Sequence, residues 1–548
     1  VGNRLLHKSD GTRRCSRLLK RNGYLEFLFF RFFPKEEDFL TETKLKILIA
    51  TPEVVPFAKT GGLADVTGSL PKALSRLGHQ VKVILPKYKM VDETAFNLQE
   101  VNIKFPEIPL GEKKEKIKLK SCQLPDSKVE YLFVVNEKYY KRDELYKDKA
   151  TGFDYTDNDE RFILFARGSL EVLKALNWQP DIIHANDWQS ALIPAYLKTY
   201  YAGDPFFAGT ATLFTIHNIA YQGNFSKNSF AKIGVAKDLF YPTSPFEFWG
   251  NVNFLKVGIS YADVLSTVSE RYAVEIQSAS EFGYGLEGVL RTRNADLYGI
   301  VNGVDYEEWS PEKDKFIPYH YSMEDLPGKE KNKMVLLEKC NLPQITRSGL
   351  SRAKKDVPLI GLISRLADQK GFDILSEVSD KLLSLDLKMV LLGTGDEKYH
   401  QLFKQMAKKY PEKLSVNLRF DNPLAHLIEA GADMFLMPSR YEPCGLNQLY
   451  SLKYGTVPIV RETGGLADTI QDYNPDTREG TGFVFKHYDS DELLEAVKRS
   501  LQVYQNKDAW TKLAKNGMQK DFSWQASAKK YENLYQKALQ KQSPIEPN

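Results

Sequence analysis

Short branched-apolar runs of strand length alternate with segments of helical period from Lys44 onward. That alternation restricts the chain to parallel sheet covered on both faces by helices. The runs fall into two series, at 45–50, 81–85, 181–185, 212–217 and 264–268, then at 357–364, 388–392, 433–437 and 457–460. Residues 302–331, rich in Pro and charge, separate them and read as the place where the chain leaves one core for another. With 548 residues, 42% of them apolar, there is material for more than one core. The expected class is α/β, with two doubly wound, Rossmann-like domains.

Charge and cysteine usage exclude several partners. Lys plus Arg number 75 and Asp plus Glu 71, a net +4 that supplies no field for holding a polyanion, so nucleic acid is not an expected partner. Cys15, Cys122, Cys340 and Cys444 are scattered without a CxxC pair or a histidine cluster, which fits a reducing cytosol and offers no zinc set. The apolar stretch 25–33 contains Glu26 and Arg31 and is about half the length of a membrane span. No membrane segment is expected. Residues 1–43 are basic and aromatic and stand apart from the alternating pattern, so an unstructured or artefactual extension is expected there. A plastid location follows only if that extension is a transit peptide. The sequence assigns no oligomeric state.

The hexapeptide Thr-Gly-Gly-Leu-Ala-Asp occurs twice, at 60–65 and 463–468, each time after a strand-like run and at the head of a helix-like one. Glycines before a helix read either as a tight turn or as an anion site, where unpaired N–H groups and the positive dipole end meet a phosphate. Two copies in two sheet domains favour the anion reading, because open parallel sheets bind ligands beyond the carboxyl ends of their strands. Lys59 directly precedes the first copy, and Arg365 and Lys370 follow the strand-like run 357–364. Each reads as a surface cation or as a diphosphate contact; together, three cations from two domains would converge on one diphosphate. Glu442 sits in a stiff loop between Tyr441 and Pro443, as a loop cap or as an oriented carboxylate. Cys444 has no nearby histidine to activate it. His217 and Asn218, and the His184 to Trp188 segment with Asp187, end apolar strands, where polar groups face a crevice or stay structural. The Asp-x-Asp triplets at 157–159 and 489–491 precede helical patterns and read as caps, so no metal is expected.

These motifs resemble the bacterial glycogen synthases and plastid starch synthases, which use a nucleotide diphosphoglucose donor, most often ADP-glucose. Lys59-Thr60-Gly61-Gly62-Leu63-Ala64-Asp65 is similar to the family's donor loop, and Glu442-Pro443-Cys444-Gly445-Leu446 to its second signature. The echo at 463–468, His217-Asn218, Asn302-Gly303-Val304-Asp305, and Arg365 with Lys370 match further positions. The resemblance implies a GT-B architecture with a deep cleft: 44–300 as an acceptor-side domain, 301–522 as a nucleotide-sugar domain, and 523–541 as a helix returning to the first. It implies glucosyl transfer with retention to the non-reducing end of an α-1,4-glucan, in the cytoplasm, with a nucleotide-diphosphoglucose donor, a glucan acceptor, no cofactor and no metal. By the same analogy Glu442, His217, Lys59, Arg365 and Lys370 are catalytic. Gly61, Gly62, Asp65, Asp187, Asn218, Asn302, Cys444, Gly445 and Leu446 would contact substrate, with Tyr140 and Phe420 at the nucleotide. Other readings are a glucosyltransferase acting on a sugar phosphate, a non-catalytic glucan-binding scaffold, and a nicotinamide oxidoreductase. Against the last, neither glycine turn has the GxGxxG order followed by an acidic residue about 20 positions on.

Overall fold

The first lobe is built on a nine-stranded sheet in the spatial order Leu297–Gly299, Val264–Thr267, Ala211–Ile216, Ile182–Asn186, Lys46–Ala50, Gln80–Pro86, Glu130–Val135, Lys118–Gln123, Gln99–Val101. Its first seven members are mutually parallel, and the last two are added antiparallel at one edge. The second lobe has six parallel strands, ordered Leu414–Asn417, Lys388–Leu392, Leu359–Ile363, Met434–Met437, Val457–Arg461, Phe483–Phe485. This is the doubly wound order 3-2-1-4-5-6, whose direction reverses beside the first strand. The switch points lie between Lys46–Ala50 and Ile182–Asn186 in one sheet, and between Leu359–Ile363 and Met434–Met437 in the other. Loops leaving these strands at their carboxyl ends are therefore the ones placed to receive a ligand. The computed structural model describes residues 44–343 and 356–542, so the expected 1–43 extension lies outside the described residues.

The central strands are buried on both faces, as the continuous apolar runs require; Ile182–Asn186 and Ala211–Ile216 have no exposed residue. The helix Trp524–Gln540 belongs by sequence to the end of the second lobe, yet its Trp524, Tyr531, Leu534 and Tyr535 are buried in the core of the first. Two polar contacts fix its rotation: the partly buried His79 Nε2 to Glu532 Oε1 at 2.7 Å and the buried His184 Nδ1 to the Tyr535 hydroxyl at 3.0 Å. Burying a large apolar side chain is worth roughly 1.5–3 kcal/mol, so this helix clamps the lobes together at one end. The two chain crossings run side by side there, with Val304 N–H donating to Phe522 O at 2.7 Å.

Candidate active site

The first glycine turn joins strand Lys46–Ala50 to helix Gly62–Arg76. A buried carboxylate organises it. Glu53 accepts from Thr60 N (2.5 Å), Thr60 Oγ1 (2.6 Å), Gly61 N (3.2 Å) and the Tyr146 hydroxyl (2.7 Å). The Thr60 and Gly61 amides are thus already occupied, which removes the Gly61 amide from the expected substrate contacts. The amides of Gly62 and Leu63 open the helix and have no partner among the described residues. Lys59 Nζ lies 2.7 Å from Asp65 Oδ1, and the lysine side chain is 48% exposed. Burial holds the Asp65 carboxyl above its usual range. A Cβ at Gly62 would stand 3.7 Å from Leu446 Cδ1, so the turn faces the second lobe directly.

On the opposing side, Arg365 leaves the carboxyl end of Leu359–Ile363, and both its terminal nitrogens lie 3.3 Å from the Tyr221 hydroxyl of the first lobe. Lys370 Nζ donates to Glu442 Oε2 at 2.6 Å, and Ser439 Oγ donates to the same oxygen at 2.9 Å. Glu442 is buried. Gly371 follows Lys370 at φ 75°, and any Cβ there would collide with the Pro438 carbonyl, so this glycine lets the Lys370 turn approach the Glu442 loop. Lys370 and Glu442 are thereby brought together, with Arg365 turned to the other lobe. Lys59 makes no contact with Arg365 or Lys370 in this state.

The second glycine turn has a different use from the one expected. It follows the fifth strand of its sheet, Val457–Arg461, not the first, and it packs under the Glu442 loop. Gly465 N–H donates to Glu442 O (3.1 Å) and Pro443 O (3.2 Å). Its own amide end is closed by Glu275 of the first lobe, which accepts from Gly464 N at 3.1 Å and from Thr463 Oγ1 at 3.3 Å. An anion site there is overturned: the turn positions Glu442.

Asp187, Asn186 and His217 sit together beyond strands Ile182–Asn186 and Ala211–Ile216. Asp187 Oδ1 accepts the His217 N–H at 2.7 Å, and burial pushes its pKa up to about 7. Asn186 Nδ2 donates to Ala50 O (3.2 Å) and His184 O (3.3 Å), so its Oδ1 faces His217 Nε2 at 2.9 Å. His217 must donate there, which leaves Nδ1 as an acceptor. Burial drives its pKa down to about 3, so the ring is neutral. Asn218 is half-buried, with Oδ1 accepting from Ala220 N at 3.0 Å. Asn302 is buried, and its Oδ1 has no partner among the described residues. Phe420 lies just beyond strand Leu414–Asn417 and is 82% exposed. Gly445, at φ 73°, and half-buried Leu446 form the bend opposite Gly62.

Two further expected substrate contacts, at Tyr140 and Cys444, are corrected. Tyr140 is fully buried, with its hydroxyl donating to Arg161 O at 2.8 Å; it is a core residue out of reach of a nucleotide. The Cys444 thiol packs into the first lobe's core, pushed up to about 12 by burial, and presents no group to a ligand. Of the acidic triplets, Asp489 caps helix Ser490–Tyr504, accepting from Asp491 N and Glu492 N at 3.0 Å each. Asp157 pairs with Arg142, and Asp159 with Lys232. Among the described residues no group of three or more His, Cys, Asp or Glu is placed to hold a metal.

Comparison with known proteins decides the family. Residues 46–292 match the starch synthase catalytic domain and 348–517 the glycosyl transferases group 1 domain. The glycogen synthase of Koribacter versatilis is 46% identical over 505 residues, spanning 91% of this chain and 100% of that one. The chain belongs to the glycogen and starch synthase family. That of Thermotoga maritima is also 46% identical, over 501 residues, covering 91% and 99% of the two chains. The catalytic domain of starch synthase IV from Arabidopsis thaliana, solved with ADP and acarbose, superposes with a TM-score of 0.81 at 32% identity over 91% of this chain and 100% of that one. Sucrose-phosphate synthase from Thermosynechococcus elongatus, at 17% identity and a TM-score of 0.51 over 90% and 98% of the chains, shares the fold. The architecture is GT-B, and the chain is a glucosyltransferase whose family activity is transfer from ADP-glucose to an α-1,4-glucan.

Proposed function

We propose that the space between Gly62 and Leu446 is where this glucosyltransferase transfers glucose from ADP-glucose to the non-reducing end of an α-1,4-glucan, with retention and without a metal. The observation that carries the reading is that face-to-face approach, with the Lys370–Glu442 pair on one side and the unclaimed amides of Gly62 and Leu63 on the other. Cleaving the bond from C1 to the diphosphate builds negative charge on the leaving oxygen and positive charge on the ring. Lys59, Arg365 and Lys370 stabilise the first, with the amides at Gly62, Gly445 and Leu446 assisting; the Glu442 carboxylate faces the second. Neutral His217 and Asn218 orient the sugar hydroxyls, Asp187 positions the His217 backbone, and Asn302 offers its buried carbonyl. Phe420 supplies an apolar surface for the base.

Retaining hydrolases use two carboxylates about 5 Å apart. Here the buried carboxylates of the two glycine turns and of the His217 cluster, Glu53, Asp187 and Glu275, already accept backbone N–H groups. The acceptor hydroxyl therefore attacks on the face the diphosphate leaves, and a diphosphate oxygen takes its proton. Cys122, Cys340 and Cys444 are free thiols, and no described helix is long and apolar enough to cross a membrane. A cytoplasmic site of action, with no nucleic-acid partner, completes the reading.

A coupled assay of ADP release with glycogen, run with ADP-glucose and UDP-glucose and with EDTA, tests it. ADP release that requires glycogen and is unchanged by EDTA is the expected result. Release that ignores the glucan would overturn the acceptor, and loss in EDTA would overturn the metal-free step.

A further inference from the structure

The first lobe carries a small antiparallel sheet outside its main one, made of Asn224–Phe225, Asn251–Asn253 and Glu247–Phe248. The hairpin tip is Trp249 and Gly250, both at positive φ, 53° and 79°. For tryptophan that left-handed backbone is strained. The ring so displayed is 84% exposed, more than any other large apolar side chain among the described residues.

Polar partners hold this conformation. The Glu247 carboxylate accepts from Thr243 N at 2.8 Å and Gly250 N at 2.6 Å. The buried Lys256 ammonium donates to Ser244 O and Glu247 O. Gln222 links the hairpin to the cleft, accepting from Asn253 Nδ2 at 2.7 Å and donating to Tyr284 O at 3.1 Å. An apolar ring held rigidly toward water is a preorganised contact surface.

Other aromatic rings continue inward from Trp249. Phe248 lies 6.3 Å from it, centroid to centroid, and rests over Gly285, where a Cβ would come within 3.2 Å of the ring. Tyr284, also at positive φ (50°) and 40% exposed, lies 6.1 Å from Tyr441, the neighbour of Glu442. Tyr221, 50% exposed and bonded to Arg365, directly precedes Gln222. The strip therefore runs from the hairpin tip to the residues beside the reacting centre.

We propose that this strip, with Trp249 as its outer anchor, is a track that binds the α-1,4-glucan acceptor at glucose units removed from the reacting end. The inference rests on the acceptor assigned above. A pyranose presents C–H faces that bury against aromatic rings, while its hydroxyls stay hydrated or meet tyrosine hydroxyls and side-chain amides, and these are the groups the strip offers. Continuity with the catalytic cleft selects a glucan as the occupant.

Trp249→Ala and Trp249→Phe, assayed with glycogen and with maltotriose, test it. The alanine variant is expected to raise the apparent KM for glycogen about tenfold, the scale of one lost contact of binding energy. Its KM for ADP-glucose and its kcat with maltotriose stay at the native values, and phenylalanine restores most of the loss. Affinity electrophoresis in glycogen-containing gels reads the same site without turnover, with mobility regained in the alanine variant. An unchanged glycogen KM and mobility in Trp249→Ala would overturn the track, as would an equal loss with maltotriose. Failure of the acceptor assignment itself would show separately, as a native enzyme whose ADP release ignores glycogen.

Discussion

Lys370→Ala is expected to lower kcat by about a hundredfold to a thousandfold, equivalent to about 2.7–4 kcal/mol of barrier, the scale of deleting one preorganised donor from a site of developing charge. Two effects combine. The variant loses a cation from the leaving diphosphate, and it leaves buried Glu442 with Ser439 as its remaining side-chain partner. Steady-state kinetics with ADP-glucose separate the roles. A loss concentrated in kcat places the ammonium on the transition state, whereas a loss confined to the KM for ADP-glucose would make Lys370 a ground-state binding group only. Lys370→Arg keeps the charge but not the compact geometry and should recover part of the rate.

Gly465→Ala is the second large effect, and Gly61→Ala is its contrast. A Cβ at Gly465 would collide with the Cys444 carbonyl and stand 2.5 Å from Cys444 Cα, so the 442–444 segment must move to admit it. Misplacing a catalytic group by about 1 Å can cost a hundredfold, and overpacking costs about 1–3 kcal/mol of stability. Activity is expected to fall at least about a hundredfold, with a lowered Tm. At Gly61 the backbone is extended, φ −152°, and nothing lies within 4 Å of a new Cβ. That variant should keep the native Tm. A glycine-to-alanine change in each copy of the hexapeptide, at its second position in the first copy and its third in the second, would thus have different consequences for the fold, measured by thermal unfolding and by ADP release. Equal Tm values would contradict the packing role of the second turn.

That contrast marks the limit of reading this chain as a string. Central strands were legible because burial on both faces demands an unbroken apolar run, and Lys388–Leu392 matches the expected run residue for residue. Lys118–Gln123 and Gln99–Val101 were not, because strands toward the sheet edge expose one face and mix charge into the pattern. Lys370 and Glu442, 72 residues apart, were singled out separately, and the fold joins them. The repeated hexapeptide was visible, but its two uses were not, since Glu53 and Glu275 cap the two turns from positions with no local signature. Glu53 stands three residues past the end of strand Lys46–Ala50, and nothing in the string separates it from a surface glutamate. Tyr140 misled for the converse reason: a tyrosine in a short helix looks the same in sequence whether its hydroxyl meets a ligand or, as here, a main-chain carbonyl.

Positive groups from both lobes are expected to act on one diphosphate. A crystal structure of the protein with ADP bound measures it directly. Lys59 Nζ is expected to be released from Asp65, with Lys59, Arg365 and Lys370 all within hydrogen-bond distance, about 3.2 Å, of oxygens of the same diphosphate. A bound ADP whose diphosphate touches groups of one lobe alone, with Lys59 still paired to Asp65, would contradict it.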